Sequence, residues 1–310
     1  MMKILICDPI DTAAVKKMQD AGLEVDNKGG ISKEELLKVA PNYHVMVVRS
    51  ATKVTKEVIA QGKNLKLIVR GGVGMDNIDA AAAKAAKIEV QNTPEAASAS
   101  VAELAIGLMF ALARKITQAD ATMKQGKWDK KALEGTELGK KTLGLVGIGR
   151  IGFEVARRAM ALDMSVIAYD PYLKPVPEKI TQSGIKMASS LDELYKQADY
   201  ISLHLPVTPE TKNMINAAAF TKMKKGVRII NTARGGIIDE KALADAITSG
   251  QVGGAAIDVF EKEPITPDNP LLKLGDKIIL TPHLGASSVE GQGRVGNAVA
   301  DKLIAFAKQH

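Results

Sequence analysis

The sequence has little cysteine, few aromatic residues and no long apolar run, and each shortage removes a class of protein. One cysteine, Cys7, stands among 310 residues, so no disulfide can form within the chain. It sits in the apolar stretch Ile4-Leu5-Ile6-Cys7, where a buried core thiol is expected. A chain of this size without disulfides fits a reducing compartment, and a cytoplasmic location is expected. The opening apolar stretch is cut off by Asp8 and Pro9, too soon for an export signal. The longest apolar run, Leu104 to Ala113, falls well short of the ~20 residues of a membrane helix. Aromatic residues make up 4% and the net charge is +7, with the lysines scattered. A nucleic-acid surface would concentrate the basic residues and interleave aromatics, so neither nucleic acid nor membrane is an expected partner. The positive excess instead steers small anions. No metal-ligand spacing is present. His44 and His310 stand in no pattern.

What remains is ordinary globular material, 46% hydrophobic and 25% charged. Its length corresponds to about two domains. Short β-branched runs alternate with amphipathic stretches. Lys3–Cys7, Val45–Val48, Leu65–Val69 and Ile88–Val90 read as buried parallel strands. Ser32 with Glu35 forms a capping box that opens a helix over Glu34–Val39. A long helical stretch runs from Ser98 to about Met123, with Val101, Leu104, Leu108 and Leu112 on one face. A second set of strands follows at Leu143–Val146, Val166–Tyr169, Tyr200–Leu203, Arg228–Asn231, Ala255–Val259 and Ile278–Leu280. Helices are expected at Ile151–Ala161, Ala217–Met223, Glu240–Thr248 and Gly293–Lys308. Such alternation predicts an α/β fold of two doubly wound parallel-sheet domains.

The strand at Leu143–Val146 runs into Gly147-Ile-Gly149-Arg150-Ile151-Gly152, and a helix follows. These glycines permit a tight turn, close backbone approach to a pyrophosphate, and close helix–strand packing. The helix N-terminus adds free N–H groups and a positive dipole. Asp170 ends the next strand, where a carboxylate meets the ribose 2′-hydroxyl and repels a 2′-phosphate, so NAD is favoured over NADP. Lys174, close behind, softens that preference.

Three residues are of types that carry acid–base and anion chemistry. A histidine such as His283 exchanges protons near neutrality. A carboxylate such as Glu263 orients a histidine ring wherever the two meet. Arg234 offers a planar fork for a carboxylate. Taken singly, each has a plainer reading: a strand-end histidine, a solvated loop acid and a surface ion-pair partner.

In order along the chain stand the glycine loop, Asn231-Thr-Ala-Arg234-Gly-Gly-Ile-Ile-Asp239-Glu240, Asp258-Val-Phe-Glu261-Lys-Glu263-Pro264 and Thr281-Pro-His283-Leu-Gly-Ala. This set closely resembles the D-isomer-specific 2-hydroxyacid dehydrogenases, over essentially the whole chain. Within them it looks most like the D-3-phosphoglycerate dehydrogenase branch, in a short form without a C-terminal regulatory domain. The resemblance implies a flavodoxin-like substrate domain over 1–93 and 285–310, a Rossmann NAD domain over 94–284, and an active site in the cleft between them. It implies that His283 is the acid/base, Glu263 its partner and Arg234 the substrate-binding arginine. It places His204, Pro206, Thr232, Ala233, Asp258, Gly285 and Ala286 with the glycine loop and Asp170 around NAD. It places Arg49, Ser50, Arg70, Gly72, Val73, Asn77 and Lys130 around a small anionic substrate. The implied reaction is NAD-dependent oxidation of D-3-phosphoglycerate to 3-phosphohydroxypyruvate. A glyoxylate or hydroxypyruvate reductase is the alternative, and an NAD-sensing co-repressor-like binding protein is an alternative of another class. Trp128 and the helical stretch after Ser98 match the region through which relatives dimerise, so a homodimer is expected. Two positions depart from the pattern. Ala97 replaces a common asparagine. Asp163 replaces a glycine at a helix end, at a modest local cost.

Overall fold

A computed structural model describes residues 2–309; His310, for which no role is expected, lies outside the described residues. The chain divides into two compact units, Met1–Ser100 with Ala286–His310, and Val101–Gly285. The expected domain boundaries, 93/94 and 284/285, lie seven residues and one residue before these.

In the first unit, β1 (Lys3–Ile6), β2 (Glu24–Asn27), β3 (Val45–Val48), β4 (Leu67–Arg70) and β5 (Glu89–Asn92) form a parallel sheet in the order β2-β1-β3-β4-β5. The connections carry α1 (Thr12–Asp20), α2 (Lys33–Val39), α3 (Lys56–Gln61) and α4 (Ala80–Ala85). Ile4, Ile6, Val45, Val47, Leu67 and Val69 pack on one face of the sheet, beneath α1 and the C-terminal helix Val289–Ala307. Leu5, Met46 and Ile68 pack on the other, with Leu36, Val58 and Ile59 of α2 and α3. Both faces being covered explains why the central strands read as unbroken apolar runs. At the start of α2, Ser32 accepts the N–H of Glu35 at 3.2 Å, as the capping box requires. The Glu35 carboxylate pairs with Lys28 at 2.9 Å.

The second unit opens with α5 (Ser98–Arg114), whose first turn still belongs to the first unit, and α6 (Ile116–Lys124). The expected single helix is therefore two. Lys115 between them is left-handed, with φ 52°. The carbonyl of Ala113 takes the N–H of Thr136 at 2.8 Å, and Lys115 Nζ donates to Ala132 O at 2.8 Å. A loop distant in sequence thus caps the break. The sheet contains β6 (Thr142–Val146), β7 (Ser165–Tyr169), β8 (Lys186–Met187), β9 (Tyr200–Leu203), β10 (Val227–Asn231), β11 (Val252–Ile257) and β12 (Ile278–Leu280). Its order is β12-β11-β10-β9-β6-β7-β8, all parallel. Helices α7 (Arg150–Met160), α8 (Glu178–Thr181), α9 (Leu191–Gln197), α10 (Ala217–Lys222) and α11 (Glu240–Thr248) connect the strands. From β6 the chain winds out to β8, then returns to β9 on the other side of β6. That reversal opens a crevice at the carboxyl ends of β6 and β9. Asp163, standing for a glycine, does adopt a left-handed conformation, φ 58°.

Candidate active site

The loop after β6 is built for close approach. Gly147 has φ +93°, and a Cβ there would lie 2.5 Å from the carbonyl of His204. A Cβ on Gly152 would lie 2.4 Å from the carbonyl of Gly147. Only glycines let the turn fold against β9 and against the first turn of α7, which Gly149, Arg150 and Ile151 open. Asp170, at the end of β7, accepts the N–H of Ile148 at 3.0 Å and that of Tyr172 at 3.0 Å. Its carboxylate therefore also pins the glycine turn. Beside the turn, two polar atoms, His204 Nδ1 and Thr232 Oγ1, are sealed from solvent without a partner among the described residues. His204 Nε2 meets Ser202 Oγ at 2.9 Å. Burial lowers the pKa of His204 to about 4, so the ring is neutral at pH 7. Pro206 takes the hydroxyl of Thr211 on its carbonyl at 2.7 Å. A cradle that excludes Cβ atoms, a helix N-terminus and unsatisfied buried polar atoms together fit a dinucleotide.

The second cluster stands after β10, β11 and β12. Asn231 shapes the first turn: its Oδ1 accepts from Ala233 N at 3.1 Å and its Nδ2 donates to Arg234 O at 2.9 Å. Arg234 Nη1 donates back to Ala233 O at 2.7 Å. Gly235 then passes so near the following loop that a Cβ would lie 1.8 Å from Phe260 O. Glu263 accepts the N–H of Phe260 at 3.0 Å on Oε1, and its Oε2 lies 2.8 Å from Nδ1 of His283. Burial raises the Glu263 pKa, but the His283 bond, the Phe260 N–H and the charges of His283 and Arg234 outweigh it and hold the carboxyl below its ordinary range. An ionised carboxylate only accepts, so Nδ1 of His283 carries the proton that faces it and Nε2 is left to exchange one.

His283 itself is left-handed, φ 56°, and Asp258 holds it there. Fully buried, Asp258 accepts from Thr281 Oγ1 at 2.6 Å, Leu284 N at 2.7 Å and Gly285 N at 2.9 Å, while its carbonyl takes His283 N at 2.9 Å. Asp258 and Gly285, expected around the cofactor, are thus bonded to each other. Ala286, expected there too, packs against the core of the first unit.

Residues 106–285 match the model of the D-isomer specific 2-hydroxyacid dehydrogenase NAD-binding domain. The chain is 50% identical to the D-3-phosphoglycerate dehydrogenase of Archaeoglobus fulgidus over 99% of its own length and 58% of that protein's. It is also 50% identical to the hydroxypyruvate reductase of Thermotoga maritima, over 97% of both. This chain belongs to the D-isomer specific 2-hydroxyacid dehydrogenases. The crystal structure of a D-lactate dehydrogenase from Aquifex aeolicus, complexed with NAD and lactic acid, superposes with a TM-score of 0.84 at 31% identity, covering 99% of this chain and 96% of that one. NAD is the cofactor of the matched domain. The chain spans just over half the length of several curated relatives that it matches, 58% and 57% for two of them.

In this family member the first unit brings a further set of expected residues to the carboxyl edge of its own sheet. Asp8, buried after β1, accepts from Arg49 N, from Thr52 N at 3.1 Å and from Thr52 Oγ1 at 2.7 Å. Asn77 donates through Nδ2 to Arg49 O at 2.7 Å and Thr52 O at 2.6 Å. The turn that carries Arg49 and Ser50 is therefore clamped from both sides, and Asn77 contributes the clamp. Arg49 Nη1 donates to Pro9 O at 3.2 Å, but its Nε is sealed from solvent with no partner among the described residues. Burial lowers the pKa of its guanidinium, against the pull of Asp8. Arg70 Nη1 donates to Gly71 O at 3.3 Å, and Gly72 N donates to Thr93 Oγ1 at 2.8 Å. Val73 O accepts from Asn92. Lys130 belongs to the second unit, where it lines a groove with Arg114, Lys131 and Glu134. The sequence reading gave no role in the site to Asp8, Ser202, Asn231, Thr281 or the pair Glu240–Asn269. For Glu240 a signal existed, since two acids, Asp239 and Glu240, open α11 where one suffices to cap it.

Proposed function

We propose that the chain catalyses NAD-dependent oxidation of D-3-phosphoglycerate to 3-phosphohydroxypyruvate. The observation that carries this reading is the His283–Glu263 pair at 2.8 Å on the same sheet edge as Arg234 and the glycine turn. The names of relatives at 50% and 49% identity support the substrate. In the proposed reaction, Arg234 binds the substrate carboxylate and the C2 oxygen through its planar fork. Nε2 of His283 takes the O2 proton, and the Glu263 carboxylate stabilises the imidazolium that results. Gly147 to Gly152, Asp170, His204 and Thr232 would hold NAD, which when bound supplies the acceptor for the C2 hydride. Arg49 and Arg70 in the first unit are the proposed donors for the anionic ends of the substrate.

A hydroxypyruvate reductase is the second reading, favoured by the full-length match at 50% identity to such an enzyme. One set of assays separates the two: NADH formation with D-3-phosphoglycerate, and NADH consumption with 3-phosphohydroxypyruvate, hydroxypyruvate and glyoxylate. A kcat/KM ratio of 3-phosphohydroxypyruvate over hydroxypyruvate near or below one would transfer the assignment to the reductase.

We further propose a cytoplasmic homodimer. No helix among the described residues is long and apolar enough to cross a membrane. Ile116 and Met123 on α6 and Trp128 beyond it are 51%, 50% and 80% exposed, an apolar surface of the kind that interfaces cover. Sedimentation of a monomer at micromolar concentration would overturn the dimer.

A further inference from the structure

Glu240 closes the β10–α11 connection that begins at Asn231 and carries Arg234. Its neighbour Asp239 already caps α11, accepting the N–H of Ala242 at 2.9 Å. The Glu240 carboxylate is turned away from the helix. Its Oε1 accepts the N–H of Glu261 at 2.8 Å, and its Oε2 accepts from Asn269 Nδ2 at 2.6 Å. Asn269 is buried, and its Oδ1 accepts from Leu271 N at 3.0 Å, which fixes the amide so that Nδ2 faces Glu240. Glu261 and Asn269 bracket Glu263 in the chain. One side chain therefore joins the segment that holds Arg234 to both flanks of the loop that holds Glu263. The contact of Gly235 with Phe260 O presses the same two segments together.

We propose that Glu240 is a positioning residue that fixes the Glu263 loop, and with it the Glu263–His283 hydrogen bond. The proposal rests on the reading of Glu263 and His283 as the acid/base pair. Both side chains of that pair are partly open to water, 38% and 40% exposed. Water therefore competes for the bond whenever the loop moves, and the anchor has to come from behind the loop. Without Glu240, the Glu261 N–H and the Asn269 amide lose this acceptor, and on this side the loop keeps the apolar packing of Phe260 and Leu271 and the close contact at Gly235, none of which fixes it as directional hydrogen bonds do.

The hydrogen-bond polarity provides a test that separates positioning from packing. In Glu240→Gln one oxygen still serves Glu261 N–H, but the new NH₂ faces the NH₂ of Asn269. Adding Asn269→Asp turns that clash into a donor–acceptor pair, leaves an oxygen for Leu271 N–H, and restores the net charge. The full chain is made as native, E240A, E240Q and E240Q/N269D. Two quantities are read: kcat, and the downfield proton resonance of His283 Nδ1–H, assigned by its absence in H283N. The expected result is a sharp resonance in the native chain and its loss in E240A and E240Q. A fall of about 10- to 100-fold in kcat should accompany it, the usual consequence of misplacing a reacting group by about an ångström. NADH affinity should change by no more than about twofold, and the double variant should recover both resonance and rate. The proposal fails if E240A keeps resonance and kcat, or if E240Q/N269D melts like the native chain yet stays as impaired as E240Q. If the native chain shows the resonance but does not turn over D-3-phosphoglycerate, the substrate assignment fails, and the resonance in the variants still decides the role of Glu240.

Discussion

The two units present their functional loops on equivalent edges of parallel sheets, and they treat the charged groups there differently. On the second unit the acids have their donors in place: Asp258 holds Thr281, Leu284 and Gly285, Glu263 holds Phe260 and His283, and Glu240 holds Glu261 and Asn269. On the first unit the acid Asp8 is likewise satisfied, but the cation it supports, Arg49, keeps a buried Nε without a partner among the described residues. A group that moves a proton gains from being fixed before the substrate arrives, since no reorganisation is then needed during reaction. A group that recognises an anion gains from an unmet donor, because the ligand then completes a bond the protein lacks.

The sharpest way to break this contrast is to remove the proton acceptor. His283→Asn should lower kcat by about 10²–10⁴-fold while leaving the NADH dissociation constant nearly unchanged, as stopped-flow turnover and fluorescence titration can establish. Equal losses in both would mean that the residue holds the cofactor. Next in size is an effect on stability. The His204 pKa, about 4 in the folded chain against an ordinary 6.5, makes the unfolded chain take up a proton that the folded chain refuses. Stability from this site is complete above pH 6.5 and declines as pH falls from 6.5 to 4, by about 2–3 kcal/mol. Denaturant titrations at pH 7 and 4.5 should show a smaller loss in His204→Gln than in the native chain; equal losses would contradict the buried neutral ring. The smallest change is expected from the first unit. Arg49→Ala should raise KM for D-3-phosphoglycerate at least about tenfold, since a hydrogen bond to a charged group contributes about 1.5–3 kcal/mol. It should alter kcat little and collapse the preference for 3-phosphohydroxypyruvate over hydroxypyruvate. A fall in kcat with KM unmoved would erase the distinction between the two edges.

The strands β3, β9 and β12 and the helix α11 fall at the limits read from the sequence, because each is marked by a buried apolar run or a cap of its own. The edge strands β2 and β8 carry no such mark. Glu24-Val25-Asp26-Asn27 is half solvated, and Lys186–Met187 is two residues long. The break at Lys115 was equally hidden, since its cause is the loop at 132–136, which no local pattern reveals. The same division runs through the site. Glu263 and His283 meet as their motifs imply, each motif being written in consecutive residues. Asp258, Asn77 and Glu240 take their meaning from partners 26, 28 and 29 positions away, and residue type alone does not announce them.

The C-terminal helix sets an order of assembly. Val295, Val299, Ala300 and Leu303 complete the core that Ile4, Ala14 and Met18 begin, so this core stays open until the helix Val289–Ala307 has been synthesised. The second unit is uninterrupted from Val101 to Gly285, and its sheet can close while the N-terminal strands still wait for their cover. During synthesis, then, the cofactor-binding half is whole before the first unit is, and the apolar face of β1, β3 and β4 waits for its cover in the interval.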